Sequence, residues 1–585
     1  MKRIIISLLT AGMLLGGCTK DFEKINTSPN DPEEFLTGPL FANASYGFLF
    51  NLHLQRNSAT TSRTWMQYSA QTTYTKDSRF INTPSVGEGI WQQSYKRAHN
   101  LKKIIDLNRD PKTGYVIEEE GGSNIAQIAA ARTYMVYIFS ILVDTFGDVP
   151  YYSDIQRNNP KFQALQTDKY ITPVYASQKD IYLDLLQTLK QVSNDLNEAT
   201  EANTLTDYSG VFPEGDFLFK SIGTLKHFAN SLRLRIANHL RYIDGTYVND
   251  AELEAAAKEV IDYYAAGHDD ELLQPGENIE FPYEDSYHYL GPIHQDYFVD
   301  DRLDYAPSNS FVDLLAGRNQ KANATHVTVG VDPRIEKYFT PIEKEHSRPR
   351  GEKPSKLDKW AALYGDYQEA PSTEAINTAR YKGMPYGMAE GTTEKQFGSG
   401  SNISLFAPSI LIKDTKQPVM EYAEVCFILS EIRGWNQAKY EEGVRASMEK
   451  WKVSDARITD YMATLPTASE ATVLTQKYIA LYLDPNEAWA EYRRTGYPKT
   501  LIQVGDVVNL NIPEEDENGT TRTTYTFTSL EADINEIPDR IGYPLTYTGL
   551  NVANYQQAVR NMGMNSDSRT HRLIFAQKRP ALPRR

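Results

Sequence analysis

Cysteine is nearly absent from this chain, with Cys18 and Cys426 the only two in 585 residues. Such a pair supports neither a disulfide framework nor a cysteine-rich metal centre. Positive charge is in deficit, 61 Lys and Arg standing against 76 Asp and Glu for a formal net charge of −15. A surface of that sign repels phosphate backbones, so nucleic acid is disfavoured as a partner. After the first fifteen residues no run reads as approaching the ~20 apolar residues that a membrane-spanning helix needs. Catalytic motifs are missing as well: there is no His-Glu-x-x-His, no Cys/His cluster, no glycine-rich phosphate loop before a helix and no Gly-x-Ser-x-Gly elbow. Phe397-Gly398-Ser399-Gly400-Ser401 has glycines without the spacing of a phosphate cradle and reads as a flexible loop. Acidic pairs such as Asp300-Asp301 are too common in so acidic a chain to identify a glycosidase dyad, whose test is a separation in space. No catalytic residue, metal ligand or cofactor is expected.

What the chain does have begins at its start. Lys2 and Arg3 form a positive n-region, and Ile4 to Leu15 is an apolar run of export-signal length. The run ends in Leu15-Gly16-Gly17-Cys18, two small residues before a cysteine, as a lipoprotein signal peptidase requires. Residues 1–17 are therefore expected to be a lipoprotein signal peptide and Cys18 the lipidated first residue. An ordinary signal peptide with an incidental cysteine is the plain alternative. Thr19 to Pro32 is polar and studded with turn formers, so residues 18–36 read as a flexible tether. The remainder, 37–585, is expected to be soluble and held to a membrane by lipid.

Helical periodicity then dominates. Leu36 to Leu54 reads as a helix, as does Glu88 to Leu107, which places Trp91, Ser94, Tyr95, Ala98 and Ile105 on one face. Asn124 to Phe146 is apolar nearly all round and should lie deep in the domain, with Gly147 as its C-cap and Pro150 barring continuation. Ser177 with Asp180 makes a capping-box-like start for a helix that carries Ile181, Leu185, Leu189, Val192 and Leu196 inward. Further helices are expected over Phe219 to Tyr242, with Arg233 and Arg235 off its buried stripe, and over Asp250 to Ala265. Between Gly267 and Ser409 Pro, Gly, Tyr and Asp become frequent and periodicity is short; so long an irregular connection is more often functional than idle. Helices resume over Val419 to Trp435, Ala438 to Trp451 and Ala471 to Leu483, followed by a loop with Trp489. Gly505 to Leu510 and Thr523 to Phe527, separated by an acidic turn, read as a β-hairpin, and Asn551 to Met562 as a last helix. Cys426 falls in an apolar helical pattern and is expected to be a small core residue. Helix pairs invite a repeat reading. Ala126, Ala129, Ala130 or Ala438 would serve where two helices cross, yet no consistent period near 34 residues aligns.

Aromatics are the informative class for function. Sugar rings present C–H faces that pack on aromatic planes, oligopeptides use the same platforms, and Arg, amides and carboxylates satisfy the polar edges. Trp91, Trp435, Trp451 and Trp489 sit in patterns that read as core. Trp65 and Trp360 fall in aperiodic polar segments, beside Tyr68, Tyr74 and Arg79 in the first case and Tyr364 and Tyr367 in the second. These seven are the candidate ligand-binding residues, set against the alternative that irregular loops bury their own tryptophans.

Several phrases, taken in order, resemble the SusD/RagB family of outer-membrane lipoproteins of Bacteroidetes. They are Cys18 to Asn26, Asp144-Thr145-Phe146-Gly147-Asp148-Val149-Pro150-Tyr151, Ala229-Asn230-Ser231-Leu232-Arg233-Leu234-Arg235, Asp332-Pro333-Arg334, Glu421-Tyr422-Ala423-Glu424 and Glu491-Tyr492-Arg493-Arg494-Thr495-Gly496-Tyr497-Pro498. Near the end Ile537 to Pro544 fits, whereas Tyr547 stands where the family usually has Glu, and Leu573 to Lys578 replaces its aromatic tail. The resemblance implies a mainly α fold, a superhelix of tetratricopeptide-like helix pairs supporting a large loop-rich region with minor β-hairpins. It also implies a cell-surface nutrient-binding protein, not an enzyme, that captures a glycan or less readily a peptide. Its implied partner is a SusC-like TonB-dependent transporter. A surface glycoside hydrolase and an adhesive surface protein are the rivals from other classes.

Overall fold

The periodic segments become a stack of helices in the computed structural model. It describes residues 37–577 apart from 55–56, 59, 82–84, 121, 202–210, 213–215, 244–249, 285–289, 301, 320, 322–328, 343–368, 399–401, 413–414 and 516–517. Cys18, Trp360, Tyr364 and Tyr367, with the expected signal peptide and tether, lie outside the described residues. The first half holds α1 (Thr37–His53), α2 (Ser62–Trp65), α3 (Glu88–Arg109), α4 (Pro111–Glu120), α5 (Asn124–Phe146), α6 (Gln178–Glu201), α7 (Ile222–His239) and α8 (Ala251–Ala265). Helix α1 packs on α3, α3 on α5, α5 on α6, α6 on α7 and α7 on α8, the chain of neighbouring helix pairs expected of a superhelix.

Helix α5 forms because Ser123 accepts the Ala126 N–H at its start and Gly147, at φ +87, ends it. Contrary to the reading that nothing after the start has spanning length, α5 is long and apolar enough to cross a membrane. It is a core helix instead, with 83% of its apolar window buried inside the protein.

The second half holds α9 (Asn309–Leu315), α10 (Tyr422–Ile432), α11 (Gln437–Lys450), α12 (Asp455–Ala463), α13 (Glu470–Ala480), α14 (Pro485–Thr495) and α15 (Val552–Asn561). Helix α10 packs on α11, α13 and α7, joining the two halves. Where α10 crosses α11 the small residue is Gly443, whose added Cβ would stand 2.9 Å from the Phe427 ring; Ala438 is exposed. The expected loop at Trp489 is helix α14. Asp484 accepts the Glu487 N–H, Pro485 occupies the first turn and Gly496 at φ +74 stops it, a complete set of start and stop signals.

Among the described residues six short strands pair two by two: β1 (Ser69–Gln71) with β3 (Tyr305–Pro307), β2 (Ile279–Pro282) with β4 (Lys416–Met420), and β5 (Val507–Glu515) with β6 (Thr521–Thr526), all antiparallel. The last is the expected hairpin. Residues Val419 and Met420, expected to open a helix, belong to β4 because the distant β2 supplies their backbone partners. Cys426 is buried, and burial pushes its thiol up to about 12, so it is an inert core residue.

Buried charge ties the halves together. Arg235, expected off the buried stripe, is buried because Glu424 compensates it, with Nε 2.7 Å from Oε1. His239 Nε2 stands 2.9 Å from Glu487 Oε1, and Nδ1 3.2 Å from Asp144 Oδ2. Ligating atoms of His239, Glu487 and Glu491 lie within 4.8 Å of one another. Arg235, Arg494 and Lys477 already face these carboxylates, so their charge is answered by protein cations.

Burial opposes the His239 charge, but Glu487 and Asp144 outweigh it and raise the imidazole to about 10. A raised folded pKa contributes stability that is complete below the ordinary histidine value and is lost as pH rises through about 10. Denaturation midpoints should therefore fall across that alkaline range, on the order of a few kcal/mol, and His239→Gln should flatten that limb.

Candidate ligand-binding cleft

Strand pairing brings two distant polar segments together. Helix α2 ends at Met66, and β1 then pairs with β3 so that Gln71 lies opposite Tyr305. The loop after β1 is thereby set against residues 295–300 and 302–305 of the long irregular region. Thr72 donates its N–H to the Asp304 carbonyl at 2.8 Å and its hydroxyl to that of Leu303 at 2.6 Å. Gln71 holds the far side of the loop, donating to Asp77 Oδ2 at 2.8 Å and accepting the Ser78 N–H at 2.9 Å. At the loop's tip Tyr74 adopts φ +54 and is 60% exposed. A left-handed backbone at a bulky residue is strained and persists only where its surroundings enforce it.

The Tyr74 ring lines a cleft of about 1120 Å³. Asn51 and Leu54 at the end of α1, Gln92 and Gln93 on α3, and Asp296, Arg302 and Tyr305 form its other walls. The Arg302 guanidinium stands 5.8 Å from the centre of the Tyr74 ring, within reach of a cation–π contact. Its Nε donates to Asp304 Oδ2 at 2.7 Å, so the cation is braced from behind. Burial pushes the Asp296 carboxyl up to about 7; Arg63 opposes that rise, while Asp300 and Asp304 add to it. The cleft thus offers one exposed aromatic face surrounded by amides, a guanidinium and a carboxyl that titrates near neutrality. These groups suit a ligand with apolar faces and many hydroxyls or amides at its edges.

Of the seven residues expected here, Tyr74 alone lines this cleft among the described residues. Trp65 is 2% exposed, its ring packed edge-on against Trp489 with centroids 5.1 Å apart. Tyr68 is fully buried, stacked on Tyr478 at 4.7 Å and donating its hydroxyl to the Tyr478 carbonyl. Both are corrections to the expected platform. Their segment is aperiodic because α13 and α14 clamp it from the far end of the chain, and no local pattern carries that. Arg79 reaches away from the cleft, donating from Nε to the Thr528 carbonyl at 3.3 Å. Trp360, Tyr364 and Tyr367 lie outside the described residues.

Sequence comparison decides the family. The model for SusD-like proteins, described as starch-binding and associating with outer membrane, matches residues 29–357 and 357–525. The chain belongs to the SusD-like family. Solved structures agree in fold. A chitin-binding SusD homologue from Flavobacterium johnsoniae is 20% identical with a TM-score of 0.63, covering 93% of this chain and 99% of its own. A SusD homologue from Bacteroides fragilis is 18% identical with a TM-score of 0.63, covering 93% and 100%. Another, from Parabacteroides distasonis, is 20% identical with a TM-score of 0.62, covering 93% and 98%. No curated protein sequence matches. In this SusD-like chain the cleft residues that motif reasoning missed are Asp296, Arg302 and Tyr305. They lie in the long irregular stretch, next to the Asp300-Asp301 pair, and its length is the one signal in the sequence that points to them.

Proposed function

We propose that this SusD-like protein captures an oligosaccharide at the cell surface, in the cleft beside Tyr74, without cleaving it, and delivers it to a SusC-like TonB-dependent transporter. The observation that carries the reading is Tyr74 itself, an exposed ring on a strained loop, braced by Arg302 over a cleft of about 1120 Å³. A family described as starch-binding and a structural relative described as chitin-binding support a glycan as the ligand class. Losing a central aromatic from a binding surface costs about 2 kcal/mol, roughly thirtyfold in affinity. Tyr74→Ala is expected to weaken binding of the best ligand in a panel of malto- and chito-oligosaccharides by that factor, with the melting temperature unchanged, as read by calorimetry. Ligand length should be unchanged after overnight incubation. Shortened products would favour a hydrolase, and binding confined to peptides would redirect the ligand class.

Anchoring rests on Cys18. Each acyl methylene buried in lipid contributes ~0.8 kcal/mol, so several chains hold far more firmly than one. Cys18→Ala is expected to move the protein from the membrane fraction to the soluble fraction. Retention after a high-salt wash would overturn the lipid anchor. Purification of the wild-type protein from detergent-solubilised outer membrane should bring a large barrel protein with it.

A further inference from the structure

A second cleft, of about 630 Å³, shares no lining residue with the one beside Tyr74. Its walls carry Lys220, just before the Ser221 cap of α7, Lys416 at the start of β4, and Lys450 and Lys452 at the end of α11. Four lysines on one cleft run against a net charge of −15. Two of them are answered by acids: Lys450 Nζ is 3.2 Å from Glu280 Oε1 and also contacts Glu421, and Lys416 Nζ is 3.8 Å from Glu280 Oε2. Glu277, the other acid on the wall, is engaged by His227 at 2.8 Å. Lys220 and Lys452 have no ion-pair partner among the described residues.

Those two lysines also hold left-handed backbones, with φ of +61 and +55. Lys452 follows the last turn of α11, with the Val453 N–H on the Met448 carbonyl, a helix stop at which glycine is the ordinary residue. A side chain at each position keeps the strain and places a cation on the cleft. Trp451, half-buried, lines the same cleft. An aromatic surface and two uncompensated cations together suit a sugar ring that bears a negative charge.

We propose that this second cleft binds an acidic saccharide, its carboxylate or sulfate paired with Lys220 and Lys452 and its ring packed against Trp451. The test uses the mature chain with tetragalacturonate, a chondroitin sulfate tetrasaccharide and neutral chitotetraose, titrated by calorimetry at low and at high salt. At least one acidic probe should bind, more weakly at high salt. Lys220→Gln with Lys452→Gln should weaken that binding by about tenfold or more, and Tyr74→Ala should leave it unchanged. Glycine at both positions relieves the backbone strain and removes both charges, so it provides a second variant that folds if the first does not. Tetragalacturonate bound alone assigns the carboxylate, and chondroitin sulfate alone the sulfate. Failure of both acidic probes to bind, or unchanged affinity in the lysine variants, overturns the proposal whether or not the cleft at Tyr74 binds its own ligand.

Discussion

Arg494→Ala is expected to destabilise the protein by about 3–5 kcal/mol, because it strands buried carboxylates without their cation. The Arg494 and Glu431 side chains are both inaccessible to solvent, and Nη1 and Nη2 each lie 2.7 Å from a Glu431 oxygen. Nε also donates to Glu491 at 3.0 Å. Burial alone would raise the Glu431 carboxyl, but the Arg494 guanidinium overrides it and holds the group well below the usual carboxylate range. A domain typically has about 5–15 kcal/mol of net stability, so this single loss is a large share. Urea denaturation of the mature chain measures it. A shift below about 1 kcal/mol would mean that water or a neighbouring cation replaces Arg494. Replacing Arg494 and Glu431 together by methionine should cost less than Arg494→Ala, since the charge and its partner leave together.

Trp65→Ala is expected to cost a further class of stability, about 3–5 kcal/mol for a buried tryptophan, while the affinity of the Tyr74 cleft is retained in the folded fraction. The ring fills the contact between α2 and α14, where it meets Trp489 edge-on at 5.1 Å. Trp489 in turn lies under the Arg493 guanidinium, 3.5 Å from its ring centre, so the cavity would open beside a buried cation. Trp65→Phe keeps an aromatic edge against Trp489 and should cost less than the alanine variant. Thermal melts paired with calorimetry separate the roles: an unchanged melting temperature with lost affinity would return Trp65 to the ligand.

The contrast between Trp65 and Tyr74 shows where local pattern stops. Both occur in one polar, aperiodic stretch, nine residues apart in sequence, and nothing within that stretch distinguishes them. Trp65 is buried because α14, more than four hundred residues later, covers it; Tyr74 is exposed because Thr72, Gln71 and Arg302 hold its loop outward. Helix α14 itself was legible in Asp484, Pro485 and Gly496 but was masked by its aromatic content, whereas α5 was plain because its periodicity and both its caps lie within its own residues.

Most of the helices, the hairpin near Gly505, the buried Cys426 and the family are legible in the sequence, since each depends on patterns within a few turns of chain or on short motifs. Two cysteines leave no room for a disulfide framework, and the acidic surplus disfavours a nucleic-acid partner. Which aromatics face solvent, that Arg235 and Arg494 are buried, and that residues 71–77 meet 295–300 and 302–305 in one cleft follow from tertiary contacts alone. Those outcomes rest on contacts between segments hundreds of residues apart, such as the pairing of β1 with β3 and of Arg494 with Glu431. Burial and charge compensation belong to the pair of segments, and neither segment carries the information alone.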